Sequence, residues 1–411
     1  TADLLALDGV RIRGVGKGAG TFAFAPGSTL APGGLRAVPA ALLGFRPDRG
    51  DTLLLESGTS VLDALVVGAT ARARLPDGTG PWRLPAAPSP EGTNRFRLST
   101  EVVLNEICHH PPGTASTGGW VELFHRGTGL VDLSGWRFSE GITYRLPTGT
   151  SLRPGEHLVV AAQPEALRGA HPGIRVLGPF EGRLARGGER LSLVDADGNP
   201  ADSVEYADSG RWPEEADGGG STLELMDPWA DNAAPEAWAP SDESARTAWV
   251  RHTYRTRAVS APGPTLWNEW VMGLLDAGEC LIDDLQVIES PGTATAVQML
   301  KNGDFQTGAT SWRFLGTHRL SRVIDDPDQP GNRVLHLVAT GPTEHMHNHL
   351  ETTLANNRSV VNGRDYEVSF RARHLKGCPR LNTRLYFNRV ARTTTLPVAS
   401  LQGTPGAPNS R

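Results

Sequence analysis

The chain repeats part of itself, and the repeated part is written in short strands and turns. "FAPGSTLAPGG" (Phe24–Gly34) matches "LPTGTSLRPGE" (Leu146–Glu156) at an offset of 122. "GDTLLLESGTSVLDALVVG" (Gly50–Gly68) matches "GERLSLVDADGNPADSVEYAD" (Gly188–Asp208), and "DGTGPWRL" from Asp77 aligns with "DGGGSTLEL" from Asp217. The growth in offset comes from an insertion in the second copy, "PEALRGAHPGIRVLGPFEG". Pro164 at a first helical turn and Gly169 after it predict one short helix there. Elsewhere both copies alternate polar and apolar residues over four to eight positions between Gly, Pro and Asp turns, the pattern of half-buried strands. With 48 Gly and 31 Pro in 411 residues, long helices are excluded. The expected class is all-β, built from sandwiches.

The second copy opens with strands that the first lacks. "VVLNEICHHPP" and "WVELFHRGTGLVDLSGWRFSEGITYRLPTGTSLRPGEHLVVA", then "GERLSLVDADG" and "WPEEADGGGSTLEL", together resemble the lamin-tail domain. That resemblance implies an immunoglobulin-like sandwich over roughly Val102 to Trp238. The first copy joins the pattern only at "LLALDGVRIRG". It is therefore expected to be an incomplete sandwich, closed by strands from a longer precursor or a neighbouring molecule. From about Trp249, "CLIDDLQVIE", "LKNGDFQTGATSW" and "VNGRDYEVSFRARHL" resemble jelly-roll carbohydrate-binding and galactose-binding-like modules, in permuted order. The expected division is 1–96, 97–242 and 243–403, with 404–411 as a linker.

Charge and composition remove several classes of partner. Net charge is −5, only Lys17, Lys301 and Lys376 are lysines, and no basic stripe carries interleaved aromatics, so no nucleic-acid partner is expected. No apolar run approaches the ~18 residues of a membrane span. Cys108, Cys280 and Cys378 lie too far apart for a zinc knuckle. Cys280 and Cys378 both fall in the last module and are the pair expected to form a disulfide if one exists.

Most chemical motifs read better as turns. "GVGKGAGT" (Gly14–Thr21) lacks the spacing and the helix of a phosphate loop and reads as a hairpin. "CHHPP" (Cys108–Pro112) reads as strand-end packing, because successive strand residues point to opposite faces. "DADGNP" (Asp195–Pro200) and "IDDPDQPGN" (Ile324–Asn332) read as turns and solvated loops. "TEHMHNHLETT" (Thr343–Thr353) would put His345, His347 and His349 on one strand face with Glu351, as a polar or sugar-contacting row or as transition-metal ligands. The carbohydrate-module resemblance adds Asp283, Asp284 and Asp304 as ligands of a structural calcium, although Gln306 stands where such modules carry Glu. Trp267, Trp270, Trp312, Tyr386 and Phe387 could stack on sugars or fill the core; Trp312 and Tyr386 join the histidines as candidate ligand contacts.

No catalytic constellation stands out, so no enzyme and no required cofactor are expected. The functional expectation is a structural or adhesive protein, extracellular or at the cell surface. It would bind glycans or assemble with other copies of itself or of a longer precursor, filaments being one form of such assembly. The alternative is an accessory region of a larger secreted enzyme, a hydrolase or a spore-coat-H-like kinase. A third reading makes the histidine row a metallo-hydrolase centre.

Overall fold

The computed structural model describes residues 3–112, 117–259, 268–344, 346–385, 388–399 and 401–409. The chain is all-β, with 40% strand and 7% helix, which excludes every helical or α/β architecture. It divides into two compact units. One runs to Ser99 and includes Asp195–Pro200; the other holds Thr100–Val194 and everything from Ala201 onward.

The first unit is built on a four-stranded sheet, ordered Gly20–Ala23, Val10–Val15, Thr52–Ser57 and Ser60–Val66, with a separate pair of Ala73–Arg74 and Trp82–Arg83. Leu5–Ala6 pairs with Thr29–Leu30 beside it. "GVGKGAGT" is the hairpin between the first two of these strands, with Gly14 opposite Gly20. The amides of Lys17 and Gly18 each donate to the Asp51 carboxylate at 2.8 Å, so the protein itself supplies the anion in this loop. Few residues of this unit are buried. Ile12, Leu53 and Leu55 share the apolar face of the sheet, and all three stay half-exposed.

The second unit opens with a complete sandwich. A six-stranded sheet runs Val176–Leu177, His157–Ala161, Trp120–His125, Val102–Cys108, Leu223–Leu225, Trp238–Pro240. It faces a four-stranded sheet ordered Tyr144–Arg145, Arg137–Glu140, Gly188–Val194, Pro200–Ala207. The four-stranded order, and the side pair Val131–Asp132 with Ser151–Leu152, repeat the layout of the first unit. Here, however, the second layer is present. Phe138, opposite Leu193 as Ile12 is opposite Leu55, is 3% exposed, and Leu191 and Leu193 are fully buried. The expected short helix is found at Pro164–Ala170. It joins His157–Ala161 to its parallel neighbour Val176–Leu177, a crossover that a hairpin cannot make.

A second sandwich follows in the same unit. One sheet runs Val250–Arg257, Asp365–Gly377, Gly278–Glu289, Arg333–Ala339, Arg322–Asp325, with Val297–Gln298 attached to Gly278–Glu289. The other runs Trp312–Phe314, Leu350–Thr353, Glu269–Leu274, Arg380–Leu385, Arg389–Thr395. Trp270, Leu337, Tyr366 and Phe370 fill the core between them. The chain then returns to the first sandwich of this unit. Residues 404–409, expected to be a linker, lie instead on its six-stranded sheet, where Thr404 and Gly406 donate backbone amides to Glu106 and Glu122. This covering explains why all seven residues of Val102–Cys108 are buried: one face meets the core and the other meets the returning chain. Among the described residues no helix is long and apolar enough to cross a membrane.

Candidate functional site

Within the second unit, a cleft of about 780 Å³ opens between the two sandwiches. His110 enters it from the end of the Val102–Cys108 strand, where the backbone alternation sends the two adjacent histidines apart. His109 turns inward, packs on Tyr206 and faces the Arg186 carbonyl at 3.1 Å; burial pushes it down to about 4. His110 instead bonds through Nδ1 to the Asp217 carboxylate. Asp276, Cys378 and Arg380 line the opposite wall. No aromatic ring other than His110 is among the lining residues. The cleft therefore offers carboxylates, an imidazole and one guanidinium to hydroxyl or cationic groups, without a stacking platform.

His347 and His349 do not share a strand face. Leu350 is the first strand residue, and His347 and His349 precede it in a bend. The cause is Glu344. Its carboxylate accepts the amides of Met346 at 3.0 Å and Asn348 at 2.9 Å, and that of His347 as well. These bonds fold the segment back on itself and hold the Glu344 carboxyl below its usual range. His347 is left exposed while His349 is buried. Both ring nitrogens of His349 are engaged, Nδ1 with the Glu344 carbonyl at 3.0 Å and Nε2 with Glu351 at 3.1 Å, so neither is free for a metal. Glu351 also takes Arg313 at 2.6 Å, and Arg313 reaches Glu269 at 2.9 Å. His345 and Tyr386, like Trp267 and Phe387, lie outside the described residues.

The other site candidates also separate. Asp283 accepts Asn332 at 3.1 Å, Asp284 pairs with Arg251 at 2.6 Å, and the exposed Asp304 accepts only the Gln306 amide at 3.4 Å. Among the described residues no group of three or more His, Cys, Asp or Glu side chains is placed to hold a metal, and Asp283 and Asp284 instead share Arg371 at 3.7 and 4.0 Å. Trp312 is a core residue and not a sugar platform. It is 7% exposed, packs on Phe305, and donates its indole N–H to the Asn302 carbonyl at 3.0 Å. Trp270 is fully buried. Cys280 and Cys378 are free thiols, as is Cys108, so the expected disulfide is not formed. Cys280 sits in the core opposite His374, and burial pushes its thiol well above the usual range.

Sequence reasoning missed a set of buried acids on the outer face of the six-stranded sheet. Glu122 and Glu224 flank Glu106 in register on neighbouring strands, and all three are fully buried. The signal was present, since "VEL" and "LEL" each place a lone Glu between apolar strand residues and "NEI" puts one inside the apolar run "VVLNEIC".

No curated protein and no solved structure matches the chain. Residues 98–208 match the model of the Lamin Tail Domain family, which accounts for the immunoglobulin-like sandwich that opens the second unit.

Proposed function

We propose that the chain is a non-catalytic scaffold of an extracellular or cell-surface assembly. In this reading residues 3–99 are an incomplete copy of the lamin-tail-like sandwich, completed by strands from another polypeptide segment, and the last sandwich is a carbohydrate-binding-like module. One observation carries it: the four-stranded sheet and its side pair occur twice with the same strand order, once facing a second sheet and once with Phe45 packed over Gly14 and Gly20 in place of one. On that copy Ile12, Leu53 and Leu55 stay partly exposed, so each forgoes part of the ~1.5–3 kcal/mol that full burial of such a side chain supplies. A sheet so thinly covered leaves apolar surface for strands from elsewhere.

Light scattering between about 1 and 100 μM, with a hydrophobic-surface dye, tests this. The full chain should associate with rising concentration and bind dye, and Leu53→Ser with Leu55→Ser should reduce both. A wild-type chain that stays monomeric and binds no dye would count against the reading. Glycan binding would fall to the cleft, and His110→Ala should then lower retention on a glycan array without changing self-association.

A further inference from the structure

The buried carboxylate row on the six-stranded sheet has an occupant already, and the contacts that hold it are of a recognisable kind. Three adjacent strands present Glu122, Glu106 and Glu224 side by side. The pairing skips Asn105 between Glu106 and Leu104, a bulge that turns the Asn105 side chain toward the same row. Its Nδ2 donates to Glu122 at 2.9 Å. Thr222 donates its hydroxyl to Glu106 at 2.5 Å. Glu106 Oε2 is buried without a hydrogen-bond partner.

Residues 402–409, "QGTPGAPN", lie across this row. Gly403 donates its amide to Glu243 at 2.7 Å, Thr404 to Glu106 at 3.2 Å and Gly406 to Glu122 at 2.5 Å. The Thr404 hydroxyl donates to Glu224 at 3.0 Å. Asn409 donates to the Leu225 carbonyl and accepts from Asn105 at 3.1 Å. Gln402, 4% exposed, accepts the Cys108 thiol at 3.4 Å, and Pro405 is buried. Carboxyl oxygens that accept backbone amides ask nothing of the donor's side chain.

Side-chain selectivity comes from what is excluded. Gly403 has φ +69°, and a Cβ there would stand 1.8 Å from Glu106 Oε1 and 2.8 Å from Thr222 Oγ1. Gly406 has φ +79°, and its Cβ would meet Ile174 at 2.7 Å. Both positions therefore admit glycine alone, for backbone and for space.

We propose that this row is a peptide-recognition groove that reads Gln-Gly-Thr-Pro-Gly and the Asn three positions on, filled by the chain's own segment and open to the same segment of a second copy when its own is displaced. Every contact would be kept in such an exchange, which is what makes swapping of an identical element a low-cost route to association. The in-chain segment wins at low concentration, because its tether gives it a high effective concentration. The groove uses no residue of 3–99, so it stands or falls independently of the open N-terminal sheet.

The test uses the full chain carrying Gly403→Val and Gly406→Val, which disables its own segment. Fluorescence anisotropy with the labelled free peptide QGTPGAPN should show one saturable site per chain. A peptide with valine at both glycine positions should bind at least about tenfold more weakly. A folded double variant that ignores the wild-type peptide, or binds both peptides equally, overturns the proposal. If the variant does not fold, the wild-type chain is titrated with millimolar peptide while amide exchange is followed at Gly403, Thr404 and Gly406. Loss of protection at those amides supports exchange in the groove, and unchanged protection at saturating peptide overturns it.

Discussion

Trp312 packs its ring on Phe305 with centroids 5.4 Å apart and bonds through its indole nitrogen to the loop at Asn302. A ring so placed contributes packing energy and cannot lie flat on a sugar. Trp312→Ala should lower the stability of the last sandwich by about 3–5 kcal/mol in urea unfolding, the usual cost of emptying such a site. Ligand retention should change only in proportion to the fraction unfolded. At this same scale the alternation of "HMHNH" misled, for a local reason. Glu344, placed just before the histidines, offers its carboxylate to three successive amides, and that competes successfully with a strand ladder over the same residues. Alternation reports which face a residue would take if a strand formed; it does not report whether a neighbouring side chain will claim the backbone first. His109 and His110, just past the strand end at Cys108, still part as an extended backbone requires, one toward Tyr206 and the other toward Asp217.

At the scale of elements, the carboxylate row carries the clearest pH dependence. Burial, against the pull of the Gly406 amide and Asn105, pushes Glu122 up to about 8, and burial together with Glu122 and Glu224 pushes Glu106 upward. His157, from the neighbouring strand, comes within 3.9 Å of Glu122, and burial holds it toward its neutral form. The Glu243–Arg246 pair faces Gly403 from the other side, with the Cys108 thiol beyond. An acid whose folded value lies above its unfolded value takes up a proton on folding. Its contribution is present below the ordinary carboxylate range near 4.3 and is lost as pH rises toward about 8. Urea stability of the wild-type chain should therefore fall between pH 5 and pH 8.5, and Glu122→Gln, neutral at every pH, should flatten the slope. An unchanged slope in that variant would remove Glu122 as the cause. Strand positions and turns in this part of the chain were legible, because they depend on local period and on Gly and Pro. The seat of residues 402–409 was not, since it joins positions about 180 to 300 residues apart and is carried largely by backbone amides, which no residue pattern displays.

For the whole molecule, the two units should not unfold together. The first has a thinly covered apolar sheet and few buried residues, while the second holds all three clusters of buried apolar side chains found among the described residues. Limited proteolysis should cut within 3–99 first and leave a resistant fragment beginning near Thr100; simultaneous loss of both would contradict this division. The repeat in the sequence led to the expectation of an incomplete first sandwich, and the two four-stranded sheets do share a strand order. The returning segment has a further consequence, and it is mechanical. Residues 242–401 leave the lamin-tail sandwich and come back to it, so the last sandwich hangs as a closed loop from two nearby points of attachment. Tension along the chain would pass through the sandwich and the seat of residues 402–409, and the looped-out sandwich would bear none of it while that seat holds. Once the seat gave way, the load would fall on the loop, with its ~160 residues able to extend to as much as about 500 Å if they unravelled. Such a joint behaves as a fuse: a few amides on buried carboxylates decide when a long reserve of chain is drawn out.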